Sequence, residues 1–199
     1  MSAVAFQAAA LCLEYPDESL IATVPLLRKA RTVDAFLYCL EQTPLAQLQQ
    51  SYVDTFDLRR RCCPYLTYYT YGDTRDRGMA LLDFTSAYRA TGFEVASGEL
   101  PDHLAVVCEF AAHRPVEGVE LLQRHRAGLE LLALALRETG SPYVHVVDSV
   151  RALLPAASPH DLERAMELAR MGPPAEEVGL EDRADGVGSA VGRRVGRRT

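Results

Sequence analysis

The side chains best suited to chemistry in this sequence are five cysteines, five histidines and the run Pro101-Asp102-His103. Cys62 and Cys63 are adjacent, whereas structural zinc sites use spaced pairs. We expect these two thiols to be accessible, and a metal or redox role for them stays open. Three further cysteines fall on apolar helical faces and are expected to be buried and inert; these are Cys12, Cys39 and Cys108.

The histidines give no catalytic pattern. Glu109 and His113 are four residues apart on a predicted helix, but a zinc protease signature needs two histidines around a glutamate. The GDTRDRG run lacks both a preceding strand and the lysine of a phosphate-binding loop. The sequence therefore indicates a protein that is not an enzyme and that holds no metal.

Asp102 and His103 directly follow a proline and are expected in the first turn of a helix. Capping of that helix explains Asp102 and is the favoured interpretation from spacing alone. The alternative is a polar lip beside an apolar groove, where the carboxylate receives an arginine and His103 changes charge near neutral pH.

Aromatic side chains are the other candidates for a working surface. Tyr52 and Phe56 lie one helical turn apart, a spacing more often found in a core. Four tyrosines then fall within seven residues, more than one helix face can bury, so some rings should line an exposed surface; these are Tyr65, Tyr68, Tyr69 and Tyr71.

Helical periodicity accounts for most of the chain, and Val/Ile/Thr-rich alternating runs are scarce. We predict an all-α fold, a single-domain helical bundle interrupted by a partly irregular segment at 57–74. Thr43 should cap the helix that follows it, and residues 116–138 should form one long helix. Apolar spacing predicts three buried helix faces: Val4, Ala8, Leu11 and Cys12; Met79, Leu82, Ala87 and Tyr88; Leu162, Met166 and Ala169.

Charge is unevenly distributed around the formal net value of −6. Residues 181–199 contain five arginines and three acidic residues, a net +2, which leaves −8 on the rest. We expect a helical domain over 1–180 and a basic, Gly/Arg-rich disordered tail over 181–199. An acidic body disfavours nucleic acid and suits a basic partner. With no signal peptide and no run of about 20 apolar residues, we expect a cytoplasmic protein without membrane insertion.

Three segments carry a family resemblance: LCLEYPDE at 11–18, YVDTFDLRRRCCPYLTYYTYGDTRDRGMALLDFTSAYRATGFE at 52–94, and ELPDHLAVVCEFAA at 99–112. Together they resemble the nitrate reductase delta-subunit family, the NarJ-type molybdenum cofactor assembly chaperones, within the wider TorD/DmsD group. GPPAEEVGLE at 172–181 is similar to the family's usual ending.

The resemblance implies an all-α chaperone that binds the N-terminal peptide of the catalytic (alpha) subunit of nitrate reductase. It would keep that subunit competent for cofactor insertion before membrane attachment, with the molybdenum cofactor belonging to the client and none bound stably here. The implied peptide-binding residues are Asp102 and His103 with Pro101 setting the turn, Tyr52, Phe56, Tyr68 and Tyr69 as groove walls, and more weakly Glu109, Arg75 and Arg77.

Two features depart from the family pattern. Cys62-Cys63-Pro64 stands where many relatives have other residues, and the extension beyond Glu181 contains RRVGRR. The tail suggests self-occupancy of the peptide site or intermolecular docking, including a dimer. Three alternatives remain: a chaperone for a different molybdoenzyme, a metal or redox protein using Cys62 and Cys63, and a structural helical subunit that stays in the complex.

Overall fold

The structure, a computed structural model, describes residues 2–96 and 98–172. This part of the chain consists of helices and the segments that connect them and contains no strand, so the predicted all-α class is confirmed. The α-helices are α1 Ser2–Cys12, α2 Glu18–Leu27, α3 Asp34–Gln42, α4 Leu45–Tyr52, α5 Tyr68–Tyr71, α6 Arg75–Thr91, α7 Leu104–His113, α8 Pro115–Arg124, α9 Arg126–Glu138, α10 Tyr143–Ala152 and α11 Pro159–Met171. The predicted tail at 181–199 lies outside the described residues.

Short turns of other helical types join some of these helices. A 3₁₀ turn, Arg28–Ala30, follows α2, and a π-helical turn, Val53–Asp57, continues α4. A second 3₁₀ turn, Arg60–Cys62, lies in the predicted irregular segment. None of the helices among the described residues has both the length and the apolar character needed to cross a bilayer.

Capping residues define the ends of some of these helices. Asp17 caps α2 by accepting from the Leu20 N–H at 2.9 Å, and Gly92 ends α6 in the left-handed region with φ 74°. The prediction that Thr43 caps α4 is wrong. Its hydroxyl instead donates to the carbonyl of Cys39 at 2.8 Å, which ties it to the preceding helix.

The centre of the core is the contact between α1 and α7, two helices that are apolar on several sides. Phe6 of α1 and Phe110 of α7 are both fully buried. Helix α9 packs against α10, α11 and α5 and contributes fully buried leucines at 129, 132 and 136. A helix buried on several sides needs no strongly polar face, which explains the composition of α1 and α7.

Three predicted helix faces are partly wrong. Met79 and Leu82 of α6 are 68% and 53% exposed, and the buried residues of that helix are Ala80, Phe84 and Tyr88. Successive residues of a helix are rotated by about 100°, so a face misjudged by one position turns to solvent. Val4 of α1 and Leu162 and Met166 of α11 are also exposed.

The predicted long helix at 116–138 is two helices. The backbone at His125, with φ −106° and ψ 24°, leaves the helical region and separates α8 from α9. The apolar leucines on both sides of the break remain fully buried, which is why periodicity alone did not reveal it.

Two glycines set how closely neighbouring elements approach. A Cβ atom on Gly118 would lie 2.4 Å from the Ala111 Cα, so α8 can pack against α7 only without a side chain there. A Cβ atom on Gly128 would lie 2.6 Å from the carbonyl oxygen of Leu66. Helix α9 therefore holds the backbone at Leu66 in place through direct contact.

Candidate functional site

The site is built around a junction of two distant segments, Pro64–Thr67 and Asp102–Leu104, which we call the motif junction. The Leu66 N–H donates to the Asp102 carbonyl at 3.1 Å, and the Leu104 N–H donates to the Pro64 carbonyl at 2.9 Å. These bonds form an isolated antiparallel bridge between Tyr65 and His103. Because both segments are irregular, this pairing satisfies backbone groups that no helix satisfies.

Asp102 is the charged centre of the junction and has no exposed surface. One carboxylate oxygen, Oδ2, accepts from the Thr67 N–H at 3.1 Å and from the Thr67 hydroxyl at 2.6 Å. The Arg77 guanidinium lies 3.7 Å from the same oxygen. Because Asp102 is fully buried, the alternative in which its carboxylate forms a polar lip beside a groove is wrong. Oδ2 has the internal partners that a buried carboxylate needs, whereas Oδ1 accepts no hydrogen bond from the described residues.

Arg77 supplies the compensating charge from α6. Its Nε donates to the Thr67 hydroxyl at 3.2 Å, and its Nη1 lies 3.4 Å from Asp73. The guanidinium also lies over the rings of Tyr65 and Tyr68, at 5.4 and 5.9 Å. Within the described residues, Arg77 thus acts as a bridge inside the fold, between α6, the tyrosine segment and the junction.

His103, rather than Asp102, caps α7. Its Nδ1 accepts from the Ala105 N–H at 3.2 Å, which leaves the ring proton on Nε2 when the ring is neutral. Burial lowers the pKa of His103, while the charges of Glu99 and Asp102 partly oppose that effect. The side chain is therefore a neutral capping group at neutral pH, and the prediction that Asp102 is the cap is wrong.

Pro101 and Glu99 connect the junction to neighbouring aromatic rings. The Tyr88 hydroxyl donates to the Pro101 carbonyl at 2.6 Å. The Tyr65 hydroxyl donates to a Glu99 carboxylate oxygen at 2.8 Å. Tyr65 also packs edge-on against His103 at 5.2 Å. Buried Asp102 and His103 thereby fix the position of a partly exposed tyrosine–glutamate pair.

A second cluster of rings contains the other predicted aromatic residues. Phe56 is 7% exposed and packs against Tyr143 at 4.8 Å, so its core assignment is confirmed. Tyr52 is only partly buried and contacts Phe56 at 4.9 Å on one side. On the other side, the centroid of the Tyr52 ring lies 5.4 Å from that of Tyr15, a residue that is 51% exposed. The cluster therefore runs from the core to the surface through Tyr52.

Exposed carboxylates lie near enough to Tyr52 for their charges to affect the pKa of its hydroxyl. Burial raises the pKa of Tyr52 most, and the negative charges of Asp57, Glu99 and Glu14 raise it further. Burial likewise raises the pKa of Glu14, followed by the charge of Glu109. We call the surface formed by Glu14, Tyr15, Tyr52, Glu99 and Glu109 the acidic–aromatic face. It includes Tyr52 and Glu109 from the predicted site, whereas Glu14, Tyr15 and Glu99 were not among the predicted residues.

The remaining predicted residues lie elsewhere. Tyr68 and Tyr69 are buried and line a different cavity, beside α9, while Arg75 is exposed at the start of α6. The four predicted groove walls are thus divided between two places. Tyr65 and Tyr71 are the more exposed members of the tyrosine run. Thr67, which anchors Asp102, had no distinguishing signal in the sequence because its partner lies 35 residues away.

The cysteines form no reactive centre among residues 2–96 and 98–172. This part of the chain contains no group of three or more histidine, cysteine or acidic side chains placed to hold a metal ion. Cys62 is fully buried, so its predicted accessibility is wrong, and Cys63 is half-buried. Burial raises the pKa of Cys63 to about 11, which disfavours the reactive thiolate.

Comparison with known proteins connects this architecture to one family. Residues 25–148 match the family model "Nitrate reductase delta subunit". The nitrate reductase-like protein NarX of Mycobacterium tuberculosis is 39% identical over 74% of this chain, which spans only 24% of NarX. The nitrate reductase molybdenum cofactor assembly chaperone NarJ of Escherichia coli is 33% identical, covering 75% of this chain and 69% of NarJ.

A solved structure agrees with the sequence relatives. The crystal structure of an Archaeoglobus fulgidus protein, described as a redox enzyme maturation protein, superimposes with a TM-score of 0.62 and 25% sequence identity. The match covers 75% of this chain and 91% of the archaeal one. With the family match over residues 25–148 and the NarJ relationship, this chain belongs to the nitrate reductase delta-subunit family.

Proposed function

We propose that this chain is an assembly chaperone for a nitrate reductase and acts in the cytoplasm. It binds the N-terminal peptide of the catalytic subunit and keeps that subunit competent for insertion of the molybdenum cofactor. The cofactor belongs to the client. No bond is made or broken by the chaperone, which acts by binding one state of its client more tightly than another.

The observation that carries this proposal is the match to NarJ of Escherichia coli, whose name describes the same task and of which this chain covers 69%. Burial of Cys62, and the raised pKa of the partly buried Cys63, disfavour the alternative of a redox protein that uses this pair.

The acidic–aromatic face is the proposed docking surface for the client peptide. Tyr15 offers a half-exposed ring with its hydroxyl, which suits a partner that binds from water. Tyr52 adds apolar ring surface beside it, while its own hydroxyl donates to the Leu13 carbonyl at 3.3 Å. Glu14, Glu99 and Glu109 are exposed around them and suit a peptide with basic side chains. In this proposal, Asp102 and His103 act indirectly, because they hold the Tyr65–Glu99 pair at the edge of the face.

The test is a calorimetric titration of the full chain with a synthetic N-terminal peptide of the nitrate reductase catalytic subunit from the same organism. We expect saturable binding that weakens with added salt, since exposed charges are screened. The double substitution Glu14→Lys and Glu109→Lys should weaken binding about tenfold, from two charge contacts of roughly 0.5–1 kcal/mol each. Glu167→Lys, an exposed charge change on α11, is the matched control.

Two outcomes would count against the proposal in different ways. Binding that is absent, or that is unchanged by the charge reversals, would reject the acidic–aromatic face. Tighter binding of the corresponding peptide from another molybdoenzyme would instead change the client and leave the chaperone function in place.

A further inference from the structure

A second depression lies away from the acidic–aromatic face, between α5, α9 and the end of α11. Its volume is about 530 Å³. The floor is apolar and includes Leu131, Leu134 and Leu168, together with the rings of Tyr68 and Tyr69. Leu134 is 44% exposed and Met171, at one end, is 70% exposed. We call this depression the α9–α11 groove, and its uncovered apolar surface favours an occupant with apolar side chains.

The rim of the α9–α11 groove is cationic, in contrast to the acidic body. Arg60, Arg61 and Arg170 line it and are all exposed. No carboxylate of the described residues lies within ion-pair distance of these three guanidinium groups. Glu138 is the single carboxylate among the lining residues. The groove therefore suits a segment that combines apolar side chains with carboxylates.

The chain itself continues from this groove with that composition. Gly172, the last described residue, is one of the lining residues. The next ten residues, 173–182, read PPAEEVGLED. They contain two larger apolar side chains, Val178 and Leu180, and four carboxylates at positions 176, 177, 181 and 182.

We propose that residues 173–182 of this chain bind in the α9–α11 groove of the same molecule. Val178 and Leu180 cover the apolar floor, and the carboxylates face Arg60, Arg61 and Arg170. This inference goes beyond the proposed chaperone function and does not depend on it.

Connectivity and charge both support an intramolecular occupant. At about 3.3–3.6 Å per extended residue, the six residues from Gly172 to Val178 span roughly 20 Å. The segment starts at the groove itself, because Gly172 is one of the lining residues. A tethered segment also acts at a high effective concentration, of millimolar order for a short link. The two prolines after Gly172 restrict the chain and reduce the entropy lost on binding. The same cationic rim is a poor electrostatic match for the RRVGRR sequence, so the acidic segment before it suits this groove better.

Photo-crosslinking in the full chain tests the proposal. A benzoylphenylalanine replaces Leu180, and the crosslinked peptides are mapped by mass spectrometry. We expect crosslinks within one molecule to residues 131–138 or to Arg60 and Arg61. The same probe at Val191, in the glycine-rich basic part of the sequence, is the control and should not give them. Crosslinks spread over the whole surface, or a crosslinked dimer, would overturn the proposal.

A charge swap provides the second arm. The changes Arg60→Glu and Arg61→Glu should reduce the Leu180 crosslink several-fold, and adding Glu176→Arg and Glu177→Arg should restore it. Because both arginines are exposed and carry no ion pair within the described residues, their reversal should leave the helical circular dichroism unchanged. If Arg60→Glu and Arg61→Glu leave the yield of the Leu180 crosslink unchanged, the arginines of the rim do not contribute to binding of residues 173–182.

Discussion

Replacing Asp102 by alanine should lower the free energy of unfolding by about 4 kcal/mol, the scale measured when one partner of a buried ion pair is removed. The carboxylate is fully buried, and it accepts two hydrogen bonds from Thr67 and lies 3.7 Å from Arg77. Each bond to a charged acceptor contributes roughly 1.5–3 kcal/mol. Removal leaves the Thr67 N–H and hydroxyl buried without their acceptor, and the guanidinium without its nearest buried charge.

The measurement is urea unfolding of the full chain followed by circular dichroism at pH 7. Asp102→Asn keeps an oxygen that can accept from Thr67 and should cost less, about 2 kcal/mol. Asp73→Ala is the matched control, because Asp73 is the second carboxylate near Arg77 and its side chain is 69% exposed. This change should lower the free energy of unfolding by less than about 1 kcal/mol. A loss below about 1 kcal/mol for Asp102→Ala would refute the role of this carboxylate as the anchor of the motif junction.

Two further changes test how the site is held. Gly128→Ala should lower the free energy of unfolding by at least about 2 kcal/mol, because the added Cβ meets the Leu66 carbonyl. Gly78→Ala, on α6, places its Cβ in open space and should raise the free energy of unfolding by up to about 1 kcal/mol. Thermal unfolding of both variants tests the difference. Burial lowers the pKa of His125 to about 4, so the folded protein binds a proton there less readily than the unfolded chain does. The free energy of unfolding is therefore highest above about pH 6.5 with respect to this group, and it falls by about 3 kcal/mol as the pH approaches 4. His125→Gln should flatten that part of the stability curve, and His145→Gln, an exposed control, should not; equal slopes for all three proteins would contradict the pKa argument.

The sequence was sufficient to predict which segments are helical and most of the core. Leucines at helical spacing, such as Leu121 and Leu129, are buried as expected, because periodicity reports burial directly. It was not sufficient to choose between exposed and buried roles for Asp102. That choice depends on Thr67 and Arg77, which reach the carboxylate only through tertiary contacts, and spacing within one helix carries no information about them.

The acidic–aromatic face was predictable only in part, for a similar reason. Tyr52 and Glu109 can be recognised through family motifs, but Glu14 and Glu99 join them through the packing of α1 against α7 and through the Tyr65 hydrogen bond.

The division of α8 from α9 at His125 also leaves no periodic signal in the sequence. The apolar residues on both sides are buried whether or not the helix is continuous.

The contact between α1 and α7 also has a consequence for biosynthesis. Helix α1 has an apolar surface on several sides and is synthesised well before its main partners α7 and α10. The motif junction also depends on residues that are synthesised late. Thr67 can bind its partner only after Asp102 has been synthesised, and the Leu66 backbone can be held by α9 only after Gly128 has been synthesised. Such distant contacts make folding slow and leave an aggregation-prone nascent chain. A protein whose relatives assist the maturation of others is therefore itself expected to need protection while it is being made.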